Sequence, residues 1–531
     1  MTAHPARYQF AYRRSRDQDR TTVARHPVVV IGAGLVGLCA AIDLAQRGIA
    51  VLLLDESDRI GAGSRGISYA KRTLEIFDRL GIARRCLDKG ITWKVGKLFQ
   101  DSELLYAFDL LPEDGHAMPA FVNLQQYYLE HFLVERACQL DQLEIRWLNK
   151  VTAIAAQPDG VALSVETPDG VYPLEACWVI AADGVRSTSR GLLGLDFPGE
   201  AFEDCFLISD VRMRCAFPTE RWFWFDPPFF KGHSVLLHKQ PDDVWRIDVH
   251  LGPDADVEAE RSPGRIIPRL ERMLGHTDFT LEWVSVYRFQ CRRLRQFVHD
   301  RVIFAGDAAH QVSPFGGRGG NSGIQDAENL AWKLALVIKG EAPADLLQSY
   351  HLERAAAADE NIAQSTRSTD FIAPRSQAEM RYRNTALALA RQTDFAKRMV
   401  NSGRLSTAYA YATALSTPDG DSWNCPTRPG APLLDARMTS PGGGSAWLLE
   451  AVGGEETVLY VDDGRAPPDL PGRKRLVIGQ DLHDTEGFFA RRYDATPGAT
   501  YLVRPDQHLA ARWRQFDAAA IEQASRRLRG F

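Results

Sequence analysis

The chain has 531 residues, 45% of them hydrophobic and 25% charged, and its 63 basic and 68 acidic side chains give a formal net charge of −5. That length exceeds what one hydrophobic core supports, so two or three domains are expected, and the slightly acidic balance argues against nucleic acid or anionic membrane as partners. Eight scattered cysteines without a C-x-x-C pair, no membrane-length apolar run and no secretory-type N-terminus predict reduced thiols, no metal site, no stable membrane anchoring and a cytoplasmic location.

Residues 1–25 carry arginines together with Asp17 and Asp19, and Tyr8, Phe10 and Tyr12 alternate between them. Acids are unusual in a transit peptide, so a docked N-terminal extension is expected. Next comes an apolar β-branched run, Pro27 to Ile31, then Gly32-Ala33-Gly34-Leu35-Val36-Gly37, a helical stretch from Leu35 to Gln46 closed by Gly48, and a second buried strand ending at Asp55. A lone glycine turn is weak evidence. Strand, turn, helix, strand and acid together make a βαβ unit that binds a dinucleotide, with the pyrophosphate at the helix N-terminus and the acid on a ribose, and do not distinguish NAD from FAD.

The block from Asp204 to Arg295 is rich in Trp, Phe and Val and in turn signals, and predicts an antiparallel sheet with hairpins. If Pro241-Asp242-Asp243 forms a turn, Ser234, Leu236 and His238 share a more polar face with Arg246, Asp248 and His250, opposite Val235, Leu237, Trp245, Ile247 and Val249. The polar row either faces solvent or lines a site. Trp222-Phe223-Trp224-Phe225 and Phe229-Phe230 read equally as pocket wall or sheet core. Beyond this block Arg301 to Ala305 predicts a buried strand and Asn321 to Lys339 a long helix ended by Gly340. From Pro418 to Gly444 the composition is that of a linker or irregular loop, followed by strands around 457–461, 475–478 and 500–504 and a closing helix from Ala518.

Two further segments extend the glycine turn: Ala181-Ala182-Asp183-Gly184-Val185-Arg186-Ser187 and Phe304-Ala305-Gly306-Asp307-Ala308-Ala309-His310, each after an apolar run. With Pro314-Phe315-Gly316-Gly317-Arg318-Gly319-Gly320-Asn321 before the long helix, this order and spacing resembles the flavoprotein aromatic hydroxylases, the para-hydroxybenzoate hydroxylase-like single-component FAD monooxygenases, over about residues 26 to 370. The resemblance implies an α/β fold in which a Rossmann-like FAD-binding domain (26–203 and 296–374) is split by an antiparallel-sheet substrate domain (204–295). The N-terminal extension (1–25), a helical or linker segment (375–424) and a C-terminal thioredoxin-like α/β domain (425–531) complete it. That last domain is expected to be redox-silent, since no cysteine follows Cys425.

By the same resemblance the cofactor-binding residues are Gly32, Gly34, Gly37, Asp55, Arg65 (beside Ser64), Gln126, Asp183, Gly184, Gly306, Asp307, Gly319, Gly320 and Asn321. Arg318 stands where many relatives carry a smaller or neutral side chain, and its role stays open between surface and NAD(P)H contact. The implied function is NAD(P)H-consuming hydroxylation of an electron-rich phenolic or amino-aromatic ring by O2 through a flavin C4a-hydroperoxide, with FAD as cofactor and NADPH or NADH as cosubstrate. The glycines before the long helix would bare N–H groups toward the reduced flavin. Candidate catalytic residues are His238, Tyr287 and Pro314, with His233 and His250 as further bases. Alternatives are a polycyclic natural product or drug as substrate, a non-catalytic flavin-containing binding protein and, least supported, a halogenase. A homodimer is what the family suggests. Substrate identity, ring position and the choice between NADH and NADPH are not readable.

Overall fold

The computed structural model describes residues 8–61, 65–400, 405–465, 470 and 472–531. The apolar run before the glycine turn becomes the strand Ala24–Ile31, whose last four residues are buried. It is buried because parallel partners flank it on both sides, Gly170–Ala181 and Val51–Asp55. Leu143–Trp147 extends the sheet on one side and Val302–Phe304 on the other. Val302–Phe304 follows the inserted segment in sequence yet pairs in register with Val179 to Ala181, so this nucleotide-binding unit is assembled from two separate stretches of chain. The glycine-turn helix Leu35–Gln46 packs against the long helix Gly319–Ile338, and both are largely buried. Their approach is close enough that a Cβ on Gly323 would lie 2.6 Å from Val36 Cγ2.

The inserted sheet is larger than the expected 204–295 block. Its order is His310–Gln311, Thr280–Arg293, Gly199–Arg212, Val244–Gly252, Ser234–Lys239, Arg221–Phe225, Val95–Gln100 and Glu103–Asp109. The last two strands come from a segment assigned by sequence to the nucleotide-binding part, and Val95–Gln100 pairs parallel with Arg221–Phe225, so the sheet is not purely antiparallel. The short alternation at 95–109 names no partner; only the tertiary fold brings it to the sheet edge. Pro241-Asp242-Asp243 does make the hairpin turn, with Asp242 and Asp243 at φ 64° and 57°. Val235, Leu237, Trp245, Ile247 and Val249 fill one face under the helix Pro263–Leu274. The polar row on the other face is buried rather than solvated: His238 is 4% exposed and Arg246 3%.

Residues 8–25 lie against the nucleotide-binding sheet. Phe10 stacks on Trp147 with centroids 4.2 Å apart, and Asp17 bridges His26 and Arg146 at 2.9 and 2.6 Å. The helices Gln348–Ile372, Gln377–Ala390 and Asp394–Val400 lead to a stretch that is irregular but packed, with Tyr411 and Leu415 buried. The C-terminal unit has a four-stranded sheet in the order Lys474–Ile478, Thr457–Val461, Thr500–Val503 and Leu509–Trp513. Among the described residues no helix is long and apolar enough to cross a membrane, and no cluster of metal-ligating side chains occurs. The eight cysteines are free thiols.

A fully buried ionic network fastens the C-terminal unit to the long helices. Arg504 clamps Glu353 through both guanidinium nitrogens at 2.7 and 2.8 Å and reaches Asp506 at 2.6 Å, while Lys333 donates to Glu353 at 2.7 Å. Burial alone would raise the Glu353 carboxyl, but Arg504 and Lys333 outweigh it and hold it well below the usual carboxylate range. Burial pulls Lys333 down to about 8. Removing one partner leaves the other charges uncompensated. Glu353→Gln is expected to destabilise the protein by about 3–5 kcal/mol, read from denaturant unfolding, and a loss below about 1 kcal/mol would show that the network carries little stability.

Candidate active site

Each glycine of the first turn serves a distinct geometric need. Gly32 has φ +103°, and a Cβ there would sit 2.6 Å from the Ala182 carbonyl; a Cβ on Gly37 would sit 1.9 Å from the Gly32 carbonyl; around Gly34 nothing lies within 4 Å. The first and third therefore permit the tight turn and close packing, and the second leaves the N-terminus of the helix open to a phosphate. Asp55 accepts from Ala33 N at 2.6 Å and from Ser57 N at 2.8 Å, so it braces the turn with part of its hydrogen-bonding capacity.

Opposite this turn the loop carrying Arg65 is pinned from below. Gln126 accepts from Gly66 N at 3.0 Å and donates to Glu130 at 2.7 Å, and Glu130 accepts from Gly61 N at 2.8 Å. Arg65 itself is exposed, and its backbone carbonyl accepts from Arg246 of the inserted sheet at 3.3 Å. Ser64 lies outside the described residues.

The Asp183 and Asp307 loops are held together by Arg190, which sequence reading missed. Its guanidinium donates to the carbonyls of Asp307, Ala308 and Val185 at 3.1, 2.9 and 2.7 Å. Asp183 accepts from Ser189 N at 2.9 Å with one carboxylate oxygen, and its other oxygen is buried without a partner. Gly184, at φ +77°, turns the chain into that short helix. Asp307 makes no hydrogen bond through its carboxylate to any described residue. Its side chain is solvent-accessible, yet burial is the first cause raising its pKa, countered by His310, Arg190 and Arg65.

The Gly306 turn hangs on a residue no motif announced. Asp326, inside the long helix and 0% exposed, accepts from Gly306 N at 2.9 Å and His310 Nε2 at 2.7 Å with one oxygen, and from Arg354 Nε at 2.6 Å with the other. Burial would raise this carboxyl, but His310 and Arg354 keep it below its ordinary value. Gly306 itself must be glycine, with φ +63° and Val36 2.8 Å from the position of a Cβ.

At the start of the long helix Asn321 has no side-chain capacity left for a ligand. Its carbonyl accepts from Ala70 N and Thr73 Oγ1 at 2.8 and 2.6 Å, and its nitrogen donates to the carbonyls of Ser68 and Gly317 at 2.9 and 2.5 Å. It locks the glycine loop against the nucleotide-binding unit. Gly319 and Gly320 open the helix, with nothing closer than 3.6 Å to a hypothetical Cβ on either. Pro314 is exposed, and its carbonyl accepts from Gly317 N at 3.0 Å. Arg318 is not a surface residue: it is 2% exposed and donates to Asn361 at 2.9 Å.

The same loop borders a partly open apolar cavity of about 70 Å³ between the inserted sheet and the helices that follow. Phe108, Phe223, Phe225, Phe315 and Phe371 wall it, with Gly316 at the loop and Arg221 among the lining side chains. The aromatic run is thus split by strand alternation: Phe223 and Phe225 face the cavity, while Trp222 and Trp224 pack into the sheet core. His238 is placed on this face beside Arg246, and burial, then Arg221 and Arg246, hold its pKa well below the usual histidine range. Tyr287 sits on the same face opposite Phe206, half-buried. His233 and His250 are engaged elsewhere, the first with the His250 carbonyl at 2.6 Å and the second with Asp204 at 2.9 Å.

An open helix N-terminus, an exposed carboxylate without a partner among the described residues and bare glycine N–H groups fit the pyrophosphate, ribityl chain and ring of FAD. The comparisons agree. The family model described as FAD binding domain matches residues 25–365. The chain is 30% identical over 525 residues to 6-methylpretetramide 4-monooxygenase of Streptomyces rimosus, covering 91% of this chain and 90% of that one. It is 29% identical over 340 residues to para-nitrophenol 4-monooxygenase of a Pseudomonas species, covering 62% of this chain and 82% of that one. The solved flavin-dependent monooxygenase PieE, in complex with FAD and substrate, superposes with a TM-score of 0.80 over 95% of this chain and 99% of its own, at 23% identity. The chain belongs to the FAD-dependent aromatic-ring monooxygenases built on this FAD binding domain.

Proposed function

We propose that the enzyme hydroxylates an electron-rich polycyclic aromatic, a phenol or amino-arene, held in the cavity beside Phe315 and Gly316. The observation that carries this reading is the cavity itself: flat aromatic walls and a border formed by the glycine loop. The polycycle is favoured over a small phenol because similarity to the relative named 6-methylpretetramide 4-monooxygenase runs through 91% of the chain. When bound, FAD takes electrons from NAD(P)H and activates O2 so that one oxygen atom reaches the ring.

The protein's own residues hold and shape. The N-terminus of the helix at Gly34 takes the pyrophosphate, Asp55 the adenosine ribose, Asp307 the ribityl hydroxyls, and Arg65 with the Asp183-Gly184 loop borders the path of NAD(P)H. The N–H groups at Gly319 and Gly320 stabilise negative charge on the reduced ring. Gln126 and Asn321 act through the loops they brace. Pro314 fixes the entry of the glycine loop, and neutral His238, backed by Tyr287, accepts a hydrogen bond or proton from the substrate hydroxyl. The C-terminal unit is read as a thioredoxin-like domain without redox function, the protein as cytoplasmic, and a homodimer as its assembly.

Phenolic polycycles and simple phenols should be screened for accelerated NAD(P)H oxidation under labelled O2. One atom of label in the product is expected, and label arriving from water would exclude the mechanism. Asp307→Ala should weaken FAD binding by about 5- to 150-fold, measured by fluorescence titration of the apoprotein, and unchanged affinity would remove Asp307 from the cofactor site. His238→Gln should lower hydroxylation by about 10²-fold without removing a pH inflection near neutrality, since the native ring is already neutral there. Unchanged turnover would move the search to Tyr287.

A further inference from the structure

Of the two cationic side chains lining the cavity, one is neutralised and the other is not. Lys97 pairs with Glu220 at 2.7 Å and lies over the Trp222 ring, away from the aromatic wall. Arg221, the next residue along that strand from Glu220, faces the cavity and forms no hydrogen bond or ion pair with any described residue. Its strand neighbour is Gly96, where a Cβ would fall 2.1 Å from the Phe108 ring, so the missing side chain lets Phe108 lie over the strand next to the guanidinium. Burial lowers Arg221 to about 10, with Asp248 opposing the shift.

The groups around it are unsatisfied. The partner strand puts His238 next to Arg221, since Trp222 is opposite Leu237. His238 Nδ1, both polar atoms of Gln240 and Asp248 Oδ1 are all buried without a hydrogen-bond partner, and all three residues belong to the face of the sheet that carries Arg221. The other cation on this face, Arg246, is committed to Asp210 at 3.0 Å. Asp248, on the same face, forms no ion pair among the described residues; burial raises it to about 6 while Arg246 and Arg221 pull it down. An aromatic cavity thus ends in a partly buried guanidinium fork with unspent donors and acceptors beside it. Such a fork matches a planar, charged oxygen pair or a single oxyanion far better than it matches a neutral ring.

We propose that Arg221 is the specificity-determining residue of this enzyme, anchoring an acidic oxygen, a carboxylate or an ionised ring hydroxyl, on the aromatic substrate. Gln240 completes the subsite as a hydrogen-bond donor to the same group. The proposal rests on the hydroxylase reading and specifies the ligand chemistry that reading leaves open.

The test uses the FAD-loaded enzyme and three probes, 6-hydroxy-2-naphthoate, its methyl ester and 4-nitro-1-naphthol, which is ionised at neutral pH. Kd is read from the change in flavin absorbance for native protein, Arg221→Gln and Arg221→Lys. FAD content and thermal unfolding of each variant are recorded alongside, and the Lys variant keeps the test valid if Gln does not fold. Arg221→Gln should weaken one of the two anions by about 10- to 150-fold and change the ester by less than about twofold. Arg221→Lys should restore part of the loss, because it keeps charge but not the fork. Selective loss of the naphthoate identifies a carboxylate, and selective loss of the nitronaphthol identifies an ionised hydroxyl. Equal losses for acid and ester, or no loss for either anion, overturn the proposal. Failure of every aromatic to accelerate NAD(P)H oxidation would instead strike the hydroxylase reading, which this binding measurement does not use.

Discussion

The arrangement of this site depends on one buried carboxylate. Asp326 carries a negative charge at a position with no solvent access, and it is tolerable there only because Arg354, His310 and the Gly306 N–H surround it. Those partners are not interchangeable parts of a core. Gly306 begins the turn that carries the exposed Asp307, and Arg354 continues to Ser322 in the long helix and to the hydroxyl of Tyr411 at 2.9 Å. Tyr411 in turn stacks on His508 with centroids 4.7 Å apart and lies under the Arg504 guanidinium. A continuous polar path therefore runs from the cofactor turn to the C-terminal unit. Breaking one link strands a buried charge, which makes the whole path cooperative.

The inserted sheet solves a different problem with strand alternation alone. A single period-two pattern assigns Trp222 and Trp224 to a dry core and Phe223 and Phe225 to the cavity, and assigns Val235 to Val249 and Ser234 to His250 in the same way. Packing on one side fixes the register, and the register then fixes which chemistry faces the substrate. The price is a row of buried polar groups, His238, Arg246 and Asp210 among them, that would be destabilising in any sheet without a polar neighbour to face.

Much of this was legible in the sequence because it is written in local pattern. The glycine turn, its strand and helix and Asp55 follow from backbone sterics, and the Pro241 hairpin with its two faces follows from turn chemistry and alternation. What stayed hidden depends on partners far apart in the chain. Asp326 and Arg354 look like ordinary helix-surface charges until the fold buries both. Arg190 is one of many arginines until it ties its own loop at Val185 to carbonyls 117 and 118 residues away. Arg318 precedes a run of small residues that suggests exposure, yet it folds back under Gly316, whose missing Cβ would lie 3.1 Å from its Nε. The strands at 95–109 alternate too weakly to be seen without the sheet edge they complete.

The cavity's outer wall has a separate origin from the rest of the site. Phe371, Ile372 and Val400 come from the end of one helix and from a short one beyond it, packed with Ala386, Leu387 and Ala396 against Leu98, Leu105 and Tyr106. None of these residues takes part in the Asp326 path or in the glycine turn. Substitutions that widen, narrow or repolarise that wall touch neither the glycine turn nor the Asp326 path, so the cavity can be reshaped while those elements stay intact. Divergence of specificity is thereby uncoupled from retention of chemistry.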